Sequence, residues 1–144
     1  KLCEHFSLPF DPNICITDYP LDHPLEIKDM TTYLSALPYM PEAFLCADDR
    51  TAVLTIRALT ALNYSVPKDV AVTGFDNSDL ARLNIPSITT IDTQIEAQTD
   101  MIVSRIWSKI RTDNKESKYF ERIISPISFI QGDSVDLEHM PVEV

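Results

Sequence analysis

Two short apolar runs, Ala43-Phe-Leu-Cys-Ala47 and Val70-Ala-Val-Thr-Gly74, flank a segment of helical periodicity. A continuous apolar run of this length, here bounded by Pro41 and Asp48, reads as a strand buried on both faces, as in parallel sheets. Between the runs, residues 50–64 carry Val53, Ile56, Leu59 and Leu62 on one face, with Asp48 and Asp49 placed to cap the helix. A third strand is expected at Ile88-Thr-Thr-Ile91, and the turn Gly74-Phe-Asp-Asn77 opens a short helix over residues 78–83. Two further helices are expected. One spans 26–37, with Ile27, Met30, Leu34 and Leu37, and the other 94–111, with Ile95, Thr99, Ile102, Val103, Ile106 and Ile110 as one apolar stripe. Ile14-Cys-Ile-Thr17 reads as a short strand, 18–24 and 113–118 as loops, and 122–124 and 127–130 as strand-like segments split by Pro126. Strands alternating with helices predict an α/β fold whose mostly parallel sheet is flanked by helices.

Glycine is scarce, at two of 144 residues (Gly74 and Gly132), which excludes a GxGxxG loop and a Walker A loop. The net charge of −10 argues against a nucleic-acid surface on this chain, because neutralising phosphates takes clustered Lys and Arg. Three cysteines, Cys3, Cys15 and Cys46, form neither a disulfide framework nor a zinc spacing, so a reducing, cytoplasmic setting is expected. No apolar run reaches the length of a transmembrane helix, so no membrane partner is expected. The first residues carry neither a signal peptide nor an initiator Met, which suggests a piece of a longer gene product. The three histidines lack partners at metal-ligand spacing and read as surface residues. With no nucleophile elbow, the reading is of a chain that is not an enzyme, with no catalytic residues, no metal and no cofactor.

Ligands of parallel sheets bind outside the carboxyl ends of the strands. That rule nominates Asp48 and Asp49 after the first run and Asp76 after the second. Each has a structural alternative, since Asp48 and Asp49 can cap the helix that follows and Asp76 the helix at residue 78. Paired aspartates also mark the phospho-acceptor pocket of response-regulator receivers, but there a Lys follows a later strand. Here Asp92 follows Ile91, and no Lys lies between Lys68 and Lys109.

Four motifs in register carry a resemblance. Pro41-Glu-Ala-Phe-Leu-Cys-Ala-Asp-Asp49, Val66-Pro-Lys-Asp-Val-Ala-Val-Thr-Gly-Phe-Asp-Asn77, Ile85-Pro-Ser-Ile-Thr-Thr-Ile91 and Pro126-Ile-Ser-Phe-Ile-Gln-Gly-Asp-Ser134 together resemble the effector-binding domain of the lactose-repressor/galactose-repressor family. The resemblance covers about residues 28–134. It implies the C-terminal subdomain of a two-lobed fold like that of type I periplasmic binding proteins, with a small effector (a sugar or nucleoside) in the cleft. On this reading residues 1–93 belong to that subdomain, 94–134 to a crossover helix and closing strands, and 135–144 to an acidic tail. Asp76 matches the family's effector-binding aspartate, Asp48 stands where many members carry an amide, and Thr93 where many carry Gln. Tyr19 or His23 could supply the aromatic that stacks on the effector. The resemblance also implies a homodimer through the face of Val53, Ile56, Thr60 and Asn84, and operator DNA bound only through a headpiece not in this chain. The alternative reading is a fragment of a periplasmic sugar-binding protein of a transporter, which shares the fold.

Overall fold

The computed structural model describes residues 11–17, 24–111 and 122–137, with His5 and Ser7. Helix α1 spans Ile27–Ala36, strand β1 Ala43–Leu45, helix α2 Asp49–Ala61, strand β2 Ala71–Thr73 and helix α3 Asp79–Leu83. Strand β3 (Thr90–Asp92), helix α4 (Ile95–Arg111) and strand β4 (Ser128–Ile130) complete the order. The expected loop at 113–118, and the tail beyond residue 137, lie outside the described residues.

The core follows the helical spacing read from the sequence. Met30 and Leu34 of α1 pack with Ala52, Val53, Ile56, Ala58 and Leu59 of α2, and the sheet adds Val70, Val72 and Ile88. Proline ends α1, since Pro38 has no N–H to continue it. At the start of α1 the Asp29 carboxylate accepts from the Glu26 N–H at 3.0 Å, which satisfies one of the helix's orphan donors.

β1 and β2 pair in parallel, with Phe44 opposite Val72. β3 and β4 pair antiparallel, with Ile91 opposite Phe129. The two halves are joined by the parallel bridge Thr73–Thr89 and by Ser134. Ser134 is fully buried. The Val72 N–H donates to its carbonyl at 3.0 Å, its hydroxyl donates to the Val72 carbonyl at 2.6 Å, and that hydroxyl accepts from the Thr89 N–H at 2.9 Å. A side chain thus supplies the rung that a continuous ladder would have made with backbone.

Several expectations need correction. Among the described residues β1 is not buried on both faces, because helices cover only one of them. Phe44 and Cys46 meet the core, while Leu45 on the other face is 89% exposed. No strand forms at residues 14–17; a single 3-10 turn, Pro12–Ile14, lies there instead, capped by the Asp11 carboxylate on the Asn13 N–H at 2.9 Å. Residues 122–124 make no strand. Ile88 and Thr89 precede β3 and are buried beside the Ser134 rung rather than inside a regular ladder. The apolar stripe of α4 is exposed throughout, and no residue of that helix is buried.

Cys46 gives a first prediction. Burial, followed by the negative charge of Asp48, pushes its thiol up to about 11 from the ordinary 9.0, against a lowering contact with the Thr55 hydroxyl. The raised value means that the fold favours the neutral thiol. That contribution is complete below pH 9 and is lost as pH rises through about 11. A thiol reagent at pH 8 should therefore modify exposed Cys15 rapidly and Cys46 slowly, as peptide mapping would show. Equal labelling rates would contradict the burial.

Candidate functional site

The carboxyl ends of β1, β2 and β3 lie side by side. The Asp49 N–H donates to the Phe75 carbonyl at 3.0 Å, and the Asp76 N–H donates to the Ile91 carbonyl at 3.0 Å. Asp48 precedes the first donor, Asp76 follows the first acceptor, and Asp92 follows the second. Three aspartates therefore stand in a row across neighbouring strand ends, which lie about 4.8 Å apart in any sheet.

Each aspartate is held differently. Asp48 is the N-cap of α2, and one of its oxygens accepts from the Thr51 N–H at 2.6 Å. Asp92 is engaged at both oxygens, by the Gln94 N–H at 2.7 Å and the Asn77 side-chain amide at 3.3 Å. Asp76 is exposed, and its carboxylate has no partner among the described residues. Its backbone sits at φ 98°, followed by Asn77 at φ 52°. Non-glycine residues with positive φ cost energy, and such strain concentrates where a side chain must be aimed.

Asp49 takes the structural role. It is 1% exposed. One oxygen accepts from the Ser78 N–H at 2.6 Å, the other from the Thr90 hydroxyl at 2.6 Å. This also settles the alternative for Asp76. Ser78 stands at the N-cap position of α3 without a side-chain cap bond, the carboxylate on its N–H comes from Asp49, and the Asp76 side chain makes no cap bond there. The pair Asp48-Asp49 divides into one residue facing the rim and one facing the interior.

Thr93 lies half-buried next to this row. Tyr19 and His23 lie outside the described residues. Pattern reading missed Thr90, Asn77, Ser78 and Gln94. Thr90 was visible in principle, because a hydroxyl in the apolar run Ile88-Thr-Thr-Ile91 must find a partner when buried. Asn77 Oδ1 and Ser78 Oγ are buried with no protein partner among the described residues, next to the free carboxylate of Asp76. No group of three or more His, Cys, Asp or Glu among the described residues is arranged to hold a metal ion. The carboxylates along this edge are hydrogen-bond acceptors only.

A second feature lies away from that edge. Val53, Ile56 and Thr60 of α2 converge with Leu80, Leu83 and Asn84 on a hollow of about 530 Å³. All four residues expected on a dimer face line it. Leu83 at its rim is 80% exposed, and Ile85 93%. Among the described residues, no helix is long and apolar enough to cross a membrane.

Comparison with known proteins gives the family context. Residues 10–135 match the model of the periplasmic binding protein-like domain. The chain is similar to an uncharacterised helix-turn-helix-type transcriptional regulator of Bacillus subtilis, YvdE, with 36% identity over 81 residues. That match spans 55% of this chain and 26% of YvdE. Among solved structures, the transcriptional regulator CelR in complex with cellobiose superposes with a TM-score of 0.75 at 21% identity, covering 92% of this chain and 39% of that one. A lac repressor dimer bound to operator and the anti-inducer ONPF superposes with a TM-score of 0.64 at 22% identity, covering 76% and 36%. At these identities the structural likeness speaks for the fold. The chain spans roughly a quarter to two fifths of these three proteins.

Proposed function

Because this chain belongs to the periplasmic binding protein-like domain family, we propose that it is the C-terminal effector-binding lobe of a LacI-type bacterial transcriptional regulator. The observation that carries the reading is Asp76, an unpaired carboxylate on a left-handed backbone at the carboxyl edge of the sheet. Such a group accepts two hydroxyl hydrogens at once, which suits a sugar or a ribose. Asp48, with one oxygen left over from capping, and Thr93 complete the rim. Tyr19 and His23 remain the candidates for a stacking group.

Regulators among the relatives support transcriptional control over transport. The protein acts by binding, not catalysis, in the cytoplasm. Operator contacts belong to a headpiece outside this chain, in keeping with its net charge of −10. The hollow bordered by Val53, Ile56, Thr60 and Asn84 is the face on which a second subunit docks.

Asp76→Ala tests the site. In the whole regulator it should weaken effector binding about 10- to 150-fold, the equivalent of about 1.5–3 kcal/mol for a bond to a charged group. Stability should change by less than about 0.5 kcal/mol, because the carboxylate holds no structural partner. Calorimetry with a panel of mono- and disaccharides and nucleosides reads the first quantity, and urea unfolding the second. An effector that binds the variant as tightly as the wild type would remove Asp76 from the site.

A further inference from the structure

The carboxyl edge of the sheet is also selective about charge. Helix α2 starts there, and the N-terminus of a helix of that length is the usual place for a protein to hold a phosphate or carboxylate, because its free N–H groups and its dipole favour negative charge. Here the chain's own carboxylates fill such places. Asp48 accepts from the Thr51 N–H of α2 at 2.6 Å, and Asp49 takes the Ser78 N–H ahead of α3 at the same distance. No Lys or Arg among the described residues pairs with Asp48, Asp76 or Asp92. Arg50, two positions after Asp48, is exposed and makes no such pair, and Arg82 is engaged by Asp79. Beside the row, Asn77 Oδ1 is a further acceptor, buried and without a protein partner among the described residues.

We propose that this lobe selects an effector bearing a protonated amine, of the amino-sugar class, and rejects phosphorylated sugars, with Asp48 as a specificity-determining residue. The inference rests on the effector reading of this edge. Asp48 and Asp76 stand on adjacent strand ends, on either side of the bond from the Asp49 N–H to the Phe75 carbonyl. Asp48 keeps one oxygen beyond its cap bond, and the Asp76 carboxylate has no partner among the described residues. An ammonium brings three donors and a positive charge, and its bonds to carboxylates are stronger than those of a neutral hydroxyl. A phosphate brings charge of the same sign to groups with no proton to give, and such a like-charge contact is a means of rejecting a wrong ligand. Capping alone does not require the charge at position 48. Asn caps a helix as well as Asp, but its amide would also offer donors to an anionic or neutral ligand.

Calorimetry on the whole regulator tests this with matched sugars. Glucose, galactose and mannose are each titrated as the parent sugar, the 2-amine and the 6-phosphate, at about pH 6.5, where an amine is protonated. For the sugar that binds best, the amine should bind about 10-fold more tightly than the parent, and the phosphate about 10-fold more weakly. Added salt should weaken the amine and leave the parent unchanged, because screening acts on charged pairs. Asp48→Asn should cut the amine's advantage to about a third or less, with the urea midpoint held because the cap survives. Glu42→Gln removes an exposed carboxylate just before β1, at the opposite end of the strand, and should leave the advantage intact. Equal affinity for amine and parent would overturn the proposal, as would tightest binding by a phosphate or an unaltered preference in Asp48→Asn. A regulator that binds none of these sugars in any form would overturn it too. The effector reading is judged separately, by whether Asp76→Ala weakens the ligand that the wider panel of disaccharides and nucleosides yields.

Discussion

Asp49→Ala is expected to cost about 3–5 kcal/mol of folding stability, read as a lowered midpoint in urea unfolding. The carboxylate is buried, and both of its oxygens are committed at 2.6 Å, one to the Ser78 N–H and one to the Thr90 hydroxyl. Removing it leaves two donors unmet in the interior, and an unmet donor costs more than the net value of the bond it made. For a domain of this length, the loss corresponds to a fall in Tm of about 10 °C or more. Asp48→Ala, one residue earlier, should cost only about 1 kcal/mol, the usual value of an N-cap. Equal effects from the two substitutions would contradict this assignment of roles.

Gly132→Ala is expected to cost about 3 kcal/mol, at the upper end of the overpacking range. A Cβ on Gly132 would sit 2.6 Å from the Ile88 carbonyl carbon and 2.7 Å from the carbonyl oxygens of Ile88 and Ser87. All three atoms are backbone, so no side chain can swing aside. The shift would also strain the two 3.0 Å bonds between Gly132 and the Thr89 hydroxyl, and with them the neighbouring Ser134 rung. Hydrogen exchange should show the Val72 and Thr89 amides losing protection first. Unchanged protection at both would mean that the close approach relaxes without cost.

The helices were legible in the sequence because their apolar residues recur at three and four positions, and Met30, Leu34, Val53, Ile56 and Leu59 are buried as that spacing requires. The parallel pair was legible from two apolar runs around a helix. What escaped the pattern was anything set by a single side chain acting over a long sequence distance. Ser134 closes a sheet rung 62 residues from Val72, and Thr90 meets Asp49 across 41 residues. Neither bond leaves a periodic trace. Burial on both faces of β1 was misread because an apolar run records the residues but not how many layers cover them, as Leu45 shows. At the candidate site, the rule of carboxyl strand ends nominated Asp48, Asp49 and Asp76, and the structure places all three at that edge. It could not separate Asp48 from Asp49, since adjacent aspartates differ only in which way the helix start turns them.

That turn has a consequence for how such a chain can change over generations. Two neighbouring residues of the same type serve different ends, one oxygen of Asp48 being spent on the helix and both of Asp49 on the interior. On the proposed reading of the rim as an effector site, substitutions at position 48 alter what it accepts, while position 49 goes on holding two strands and a helix start together. On that reading, position 48 can vary by single codon changes at about the cost of one helix cap. Asp49, one position away, has no comparable freedom.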